Sequence, residues 1–243
     1  MNHPMNHPMN HPMSRATKNP SVPPGSLHRH WLGALLALSA VLPMAGYAAP
    51  VDDAVQALQR DWEVIRYQTP PAEKARRFEI LSAKAHEVAL SFPQHSEPLV
   101  WEGIVLSSWA GERGGLGALS LVKEAKAAYE KAIDMNGQAL EGSAYASLGV
   151  LYYKVPGWPL GFGDKAKAEA LLKQALQINP DGIDPNFFYA EFLFENGRAS
   201  EAVPYAQRAL QAAPRPNRQI ADAGRREEIK ALLQKLPQQQ AAR

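Results

Sequence analysis

The sequence has 243 residues, of which 46% are hydrophobic and 21% are charged, a balance typical of a folded globular protein. It contains no cysteine, which excludes disulfides, thiol nucleophiles and cysteine-ligated metal sites. Of the 26 basic residues, Arg15, Lys18 and Arg29 lie in the first 48 positions, so residues 49–243 carry 23 basic and 24 acidic side chains, a balance that gives no support for binding nucleic acid.

The first 48 residues are typical of a secretory signal peptide. Three MNHP repeats lead to Met13, and basic residues then precede an apolar run, Trp31 to Leu42, and a tail of small residues. The run is too short to span a membrane comfortably, so we expect cleavage after Ala48 and a periplasmic or secreted mature chain. An uncleaved anchor is the alternative, and translation begins at either Met1 or Met13.

Residues 49–243 are predicted to form one helical domain. Apolar residues recur at steps of three and four, and turns that contain proline or glycine interrupt this pattern. The periodic segments group into antiparallel helix pairs at about 51–92, 96–135, 139–180 and 184–214, with a last helix at 219–236. In the first two pairs, single helices are expected at 51–67, 72–92, 99–110 and 118–135.

A glycine-rich stretch, 111–117, lies between the two helices of the second pair. A phosphate-binding loop would need a preceding strand and a following Gly-Lys-Ser or Gly-Lys-Thr, and the sequence has neither. We therefore expect a long, mobile connection between the two helices.

The last two pairs share a pattern of small residues and a closing proline. Their second helices repeat the same separations, seven residues and then five: Ala168, Ala175 and Pro180, then Ala202, Ala209 and Pro214. Leu148, Gly149 and Tyr152 add a first-helix pattern. From about Ser96 to Pro214 these features resemble the tetratricopeptide repeat (TPR) family, although Asn186 stands where the family has tryptophan. The resemblance implies an all-α, TPR-like α-solenoid of about four helix pairs with a C-terminal capping helix.

The resemblance also implies a binding surface, because the first helix of each TPR pair lines a concave groove. The matching positions are mainly apolar or aromatic: Val100, Ile104, Ala146, Val150, Tyr153, Phe187, Glu191 and Phe194. Such a groove suits an amphipathic helix or extended apolar segment of a protein partner, and equally the protein's own C-terminal helix. These positions are not basic, so the lysine and asparagine grip that some TPR proteins use on a partner's C-terminal carboxylate is not expected.

An insertion between the helices of the third pair, residues 155–164, carries Trp158 and Phe162 among prolines and glycines. These side chains either pack on a neighbouring helix or are presented to a partner. We favour packing, because large aromatic residues are more often buried than exposed.

The last predicted helix has an apolar face and a charged face, as expected of a helix that caps a solenoid. The residues predicted to point inward are Ile220, Ala223, Ile229, Leu232 and Leu233. The residues predicted to point outward are Arg225, Arg226, Glu227, Glu228 and Lys230. The tail after residue 236 is expected to be frayed.

No catalytic motif is present, so we expect no enzymatic activity, no cofactor and no metal site. His86 and His95 are the histidines that follow the signal segment, and neither has a partner at metal-ligand spacing. Glu191 and Glu195, one helical turn apart, suit an acid/base pair or a cation site, but solvated helix charges are the simpler explanation.

Two functions follow from these observations. The first is an exported TPR scaffold that binds another protein through the apolar groove. The alternative rests on a weaker resemblance to the T component associated with TRAP-type solute transporters, because the 111–117 and Trp158 stretches are similar to its long inter-helix loops. That resemblance implies a periplasmic component that binds a small apolar or acidic ligand and forms homo-oligomers. An open groove would favour the first function and a closed pocket the second; neither involves nucleic acid or membrane insertion after signal cleavage.

Overall fold

The computed structural model describes residues 50–241, except for the side chains of Leu116 and of residues 237–241. The predicted signal peptide and its cleavage site lie outside this range. Within it the chain forms nine α-helices and no strand, which confirms the all-α class: α1 Pro50–Gln68, α2 Pro71–Ser91, α3 Ser96–Arg113, α4 Gly115–Asn136, α5 Ala139–Lys154, α6 Lys165–Ile178, α7 Ile183–Glu195, α8 Ala199–Gln211 and α9 Gln219–Ala241. The last helix continues past its predicted end at Leu236. None of the helices in this range is long and apolar enough to cross a membrane.

Local sequence explains where several helices begin. The side chain of Asp164 caps α6, accepting hydrogen bonds from the backbone N–H groups of Ala166 and Lys167 at 2.9 and 3.0 Å. α2 begins at Pro71, whose missing N–H is not needed in a first turn. In α5, residues 140–142 have positive φ values of 48°, 56° and 77°, so regular helix begins at Ser143.

The helices form an inner and an outer layer. α1, α3, α5, α7 and α9 are the inner helices, each in contact with the next, while α2, α4, α6 and α8 each pack against the two inner helices that flank them in sequence. α9 also contacts α1, so the five inner helices form a closed ring. The solenoid with a C-terminal capping helix is confirmed, and the cap closes the ring.

Polar contacts hold the junction between α1 and α9 together. Arg66 Nη2 donates to Glu228 Oε1 at 2.8 Å, across 162 positions of sequence. The backbone N–H of Ala221 donates to Glu63 Oε2 at 3.1 Å, across 158 positions. Glu63 is buried, so its carboxylate depends on this bond from α9 and on an ion pair with Arg218, 3.5 Å away in the linker before α9.

Small residues allow neighbouring helices to approach closely. A Cβ atom at Gly103 would lie 2.5 Å from the Tyr129 ring, and one at Gly149 would lie 2.8 Å from Leu172. Ala190 of α7 is completely buried. Any larger side chain at these positions would force the helices apart.

The glycine-rich stretch 111–117 is not a long connection, contrary to the prediction. α3 continues to Arg113 and α4 begins at Gly115, so only Gly114 separates the two helices. Gly114 and Gly115 have φ values of +62° and +63°, which glycine adopts without the steric cost of a Cβ atom. Gly111 and Gly117 lie inside α3 and α4. A helix tolerates a glycine in its interior, because the cost is only about 1 kcal/mol.

Candidate binding site

The ring encloses two cavities that meet at its centre. The amino-end cavity, about 660 Å³, is lined mainly by residues 140–147, 182–188 and 212–225, near the starts of α5, α7 and α9. The carboxyl-end cavity, about 620 Å³, is lined mainly by residues 147–154, 187–195 and 225–235 of the same helices. Five side chains line both: Trp62, Ile104, Ser147, Phe188 and Arg225. The two cavities are therefore continuous, and the inner helices surround the space that they form.

Aromatic side chains line much of the amino-end cavity. Trp62 packs edge-on against Trp101 and Tyr67, with ring centroids 6.0 and 5.9 Å apart. Trp62 Nε1 donates to Ser108 Oγ at 2.8 Å, so its one polar atom is satisfied. Phe188 adds a further ring from α7. Because these residues come from α1, α3 and α7, the aromatic lining exists only in the assembled ring.

Charged residues of α9 and of the linker before it meet α7 at the same cavity. Arg225 Nε donates to Asp184 Oδ1 at 2.8 Å, and Arg215 Nη1 donates to Asp184 Oδ2 at 2.6 Å. The Arg225 guanidinium also lies over the rings of Phe187 and Phe188, 4.5 and 4.6 Å from their centroids. Asp184 therefore ties the first turn of α7 to the end of the chain.

The prediction that Arg225 points outward is wrong. Arg225 is 8% exposed, whereas Ala223, which was predicted to point inward, is exposed. Arg225 stands four residues before Ile229 and seven before Leu232, a spacing that places all three on one face of the helix and would have identified it. Arginine was assigned to the surface by its charge, but Asp184 compensates that charge and aromatic rings cover it.

Asp184 is the acidic centre of this network. Burial by itself would raise the pKa of Asp184, but Arg225 and Arg215 outweigh burial and hold that pKa well below its ordinary value of 3.8. The carboxylate therefore remains ionised at neutral pH, where it keeps both ion pairs.

We expect the stability that Asp184 contributes to be complete at neutral pH and to be lost in acid. Its pKa is lower in the folded than in the unfolded chain, so stability is full above the unfolded value of 3.8 and falls as the pH drops toward the folded value. Urea unfolding measured between about pH 7 and pH 2 should show this loss. Asp184→Asn should flatten the acid limb, whereas Asp53→Asn, on the exposed side of α1, should leave it unchanged. An unchanged acid limb in Asp184→Asn would contradict the assignment.

Two residues that line the amino-end cavity each carry a fully buried donor atom without a hydrogen-bond partner. Among the described residues, the buried side-chain atoms without one are Trp101 Nε1, Arg218 Nε and Asn186 Oδ1, and Asn186 does not line the cavity. Trp101 is 4% exposed, and the Arg218 guanidinium lies 5.2 Å from its ring centroid. Arg218 Nε has only an ion-pair contact, 3.5 Å to Glu63 Oε2. Burial and the neighbouring Arg215 lower the pKa of Arg218, while Asp184 and Glu63 act in the opposite direction.

Most of the predicted groove residues lie inside the ring. Five line the carboxyl-end cavity: Ile104, Val150, Phe187, Glu191 and Phe194. Ala146 lines the amino-end cavity, and Tyr153 donates its hydroxyl to Glu191 Oε2 at 2.6 Å. Val100 is completely buried in the core, where it has no surface to offer a partner. Binding of a partner by this set of residues stays a prediction.

Glu191 and Glu195 share one cation. Lys154 Nζ lies 3.4 Å from Glu191 Oε1 and also pairs with Glu195 Oε1. The two carboxylates are thus partners of a lysine on the neighbouring inner helix, a structural role that accounts for both. His86 is exposed, with Nδ1 2.6 Å from Glu102 Oε1. Between residues 50 and 241 no group of three or more histidine and acidic side chains is arranged to hold a metal ion.

The loop between α5 and α6 has one packed and one exposed aromatic residue. Phe162 packs as predicted, edge-on against Tyr152 with ring centroids 5.5 Å apart. Trp158 does not: it is 90% exposed, and Leu160 beside it is 72% exposed. The loop closes on its own backbone, with the Gly161 N–H donating to the Gly157 carbonyl at 3.1 Å, so its tip stays in solvent. Its exposed apolar tip distinguishes it from the other connections.

Comparison with known proteins agrees with the repeat pattern. The family model described as Tetratricopeptide repeat matches residues 160–236. The chain is similar to the crystal structure of a thermophilic TPR protein from Thermus thermophilus, with a TM-score of 0.51 and 19% sequence identity over 75% of this chain and 90% of that chain. No curated protein gives a significant match. At this identity the structural likeness establishes the fold.

Proposed function

We propose that this chain, whose residues 160–236 match the tetratricopeptide repeat family and whose fold is similar to that of a TPR protein, serves as an exported scaffold that binds another protein. The TPR fold supports protein binding in general. Export is supported by the order of basic, apolar and small residues before Ala48. Association with a solute transporter has no observation in its favour and stays a prediction.

The docking element we propose is the tip of the loop between α5 and α6. A partner segment can reach the inner face only through the mouths of the ring, because α9 and α1 close its circumference. The loop, in contrast, presents Trp158 at 90% exposure and Leu160 at 72%. Tryptophan contributes most often to the few residues that dominate binding energy at protein interfaces. This exposed pair is the observation that carries the proposal.

The loop is built to hold its tip in place. At its base the Gly163 N–H donates to the Pro156 carbonyl at 2.9 Å, and the Asp164 N–H donates to the Tyr152 carbonyl at 2.8 Å. Phe162 anchors the same base against Tyr152. A partner that binds Trp158 therefore does not have to order the loop, which lowers the entropic cost of association. The complementary surface is an apolar pocket.

A capture experiment tests this proposal. The full chain with a C-terminal affinity tag is expressed in its source cells, crosslinked and recovered, beside a Trp158→Ala/Leu160→Ser variant. The control, Ile80→Ser/Leu90→Ser, removes two other exposed apolar side chains, from α2. We expect a partner that the loop variant captures about tenfold less well and the control captures normally.

Other outcomes would show that the loop tip is not the docking element. Equal loss of partner capture in the Ile80→Ser/Leu90→Ser control would mean that exposed apolar side chains in general, and not the loop, hold the partner. A partner that the loop variant retains and Phe194→Ala loses would place docking at the carboxyl-end cavity. The mass of the recovered chain tests export: cleavage after Ala48 leaves a chain that begins at Ala49, whereas an uncleaved chain keeps the Trp31 to Leu42 run.

A further inference from the structure

The junction between α1 and α9 contains few apolar contacts. The buried apolar side chains form two clusters, a larger one that extends from α2 to α9 and a smaller one built mainly by α1, α2 and α3. Ile229, Leu232 and Leu236 of α9 belong to the larger cluster. Among the described side chains of α9, Ala221 alone belongs to the smaller one. Apolar burial therefore attaches α9 to α7 and α8 far more than to α1.

Polar contacts make up most of this junction. Arg66 pairs with Glu228 at 2.8 Å, and Glu63 accepts the Ala221 N–H and pairs with Arg218. The side chains of Arg66 and Glu228 are 40% and 26% exposed, so water and dissolved salt screen their attraction. Separating α1 from α9 therefore exposes less apolar surface than separating α9 from α7 and α8 would.

Closing the ring also leaves two donors at this junction without a hydrogen bond. Arg218 Nε lies 3.5 Å from Glu63 Oε2 without donating to it, and the guanidinium lies 5.2 Å from the ring centroid of Trp101, whose Nε1 has no partner either. A buried donor without an acceptor destabilises the state that buries it. Separation of α1 from α9 would expose Arg218 to water, so opening relieves part of this cost.

We propose that the α1–α9 junction is a gate, held by ion pairs, that separates while the rest of the ring stays folded. Opening the gate exposes the central space from the side, whereas the closed ring is entered through its mouths. The predicted groove residues Ile104, Phe187 and Phe194 line this space, so the gate controls how far they are exposed. It goes beyond docking at the Trp158 loop and does not depend on it.

Thiol labelling measures the opening, because the chain has no cysteine of its own. Ala221→Cys places a thiol at the junction, where Ala221 is 2% exposed. Ala168→Cys places one in α6, where Ala168 is completely buried against Gly149 of α5, and reports unfolding of the whole domain. The rate of reaction with iodoacetamide is divided by the rate of the same variant in urea. We expect this ratio to be at least about tenfold higher for Ala221→Cys, and to rise about threefold further in high salt.

A disulfide across the junction supplies the second test. A Cβ atom at Gly224 would lie 2.5 Å from Tyr67 Cγ. Since a carbon–carbon bond is about 1.5 Å long, the Cβ atoms at the two positions are at most about 4 Å apart, a separation that a disulfide spans. Tyr67→Cys/Gly224→Cys in the full chain can therefore be locked by oxidation and released by a reductant.

The Ala221 N–H reports whether the lock holds α1 against α9. It lies in the first turn of α9, where the helix supplies no acceptor, and it donates to Glu63 across the junction. The amide of Leu172, a completely buried residue of α6, reports unfolding of the whole domain. Each exchange rate is divided by its rate in an unfolded chain. We expect Ala221 to exchange faster than Leu172, and oxidation to lower the ratio of the two rates at least about tenfold.

Each measurement has a result that would overturn the gate. Equal labelling of Ala221→Cys and Ala168→Cys would mean that the junction separates only when the domain unfolds. Labelling of Ala221→Cys that salt leaves unchanged would show that ion pairs do not hold the junction. An exchange ratio that oxidation leaves unchanged would mean that α9 frays without leaving α1. If a cysteine variant does not fold, the ratio of Ala221 to Leu172 exchange in the unsubstituted chain, at low and high salt, decides the question.

Discussion

Replacing Arg225 by methionine is expected to lower the free energy of unfolding by about 3 kcal/mol, because two partly buried carboxylates lose the buried arginine that pairs with both. Arg225 Nη1 donates to Glu228 Oε2 at 2.5 Å, in addition to its bond with Asp184. Arg66 of α1 also binds Glu228, so the network joins α1, α7 and α9. Methionine keeps an apolar stem against Phe187 but leaves two carboxylates with fewer donors. Their remaining arginines keep the loss toward the lower end of the range for buried pairs.

Chemical denaturation measures the loss, and hydrogen exchange locates it. Exchange should accelerate first in α9 and α1, because their contact closes the ring. Lys230→Met is the matched control, since Lys230 lies on the same helix and pairs with Glu227 at the surface. This control should change stability by less than about 0.5 kcal/mol. Equal losses in the two variants would show that the ring network contributes no more than a surface charge.

Alanine substitutions at Gly103 and Gly111 are expected to change stability in opposite directions, with a difference of up to about 3 kcal/mol. Both glycines lie in α3. A Cβ atom at Gly103 would lie 2.5 Å from the ring of Tyr129, while one at Gly111 would have no atom within 4 Å. Tyr129 is completely buried and bonds Ser107 at 3.1 Å, so its ring has little room to move.

The expected signs follow from two competing effects. Alanine is the better helix former by about 1 kcal/mol, so Gly111→Ala should stabilise by roughly that amount. At Gly103 the overpacking cost of about 1–3 kcal/mol exceeds this gain, and Gly103→Ala should destabilise. Thermal and urea unfolding of the two variants measure both effects. Stabilisation by Gly103→Ala would mean that Tyr129 repacks freely and that α3 and α4 are not in tight contact.

The amino-acid sequence by itself determined the helices and their close contacts. A helix was predicted at 51–67 and α1 spans Pro50–Gln68; another was predicted at 118–135 and α4 spans Gly115–Asn136. Apolar periodicity reports which face of a helix is buried, and it depends only on neighbours within two turns. The repeating glycine and alanine positions likewise fall where helices touch, because only small side chains allow that approach.

The tertiary structure alone decided how the ring closes and what lies inside it. The contact between α1 and α9 joins residues 162 positions apart, and no local pattern records such a pairing. Ring closure buries Arg225, leaves Trp101 Nε1 and Arg218 Nε without an acceptor, and turns a concave face into two cavities. The exposure of Trp158 also depends on the folded structure, because backbone hydrogen bonds within its loop set the position of the tip. Sequence patterns assign a residue to a surface by its polarity, whereas the burial of a charge or the exposure of a tryptophan depends on which distant partners the fold supplies.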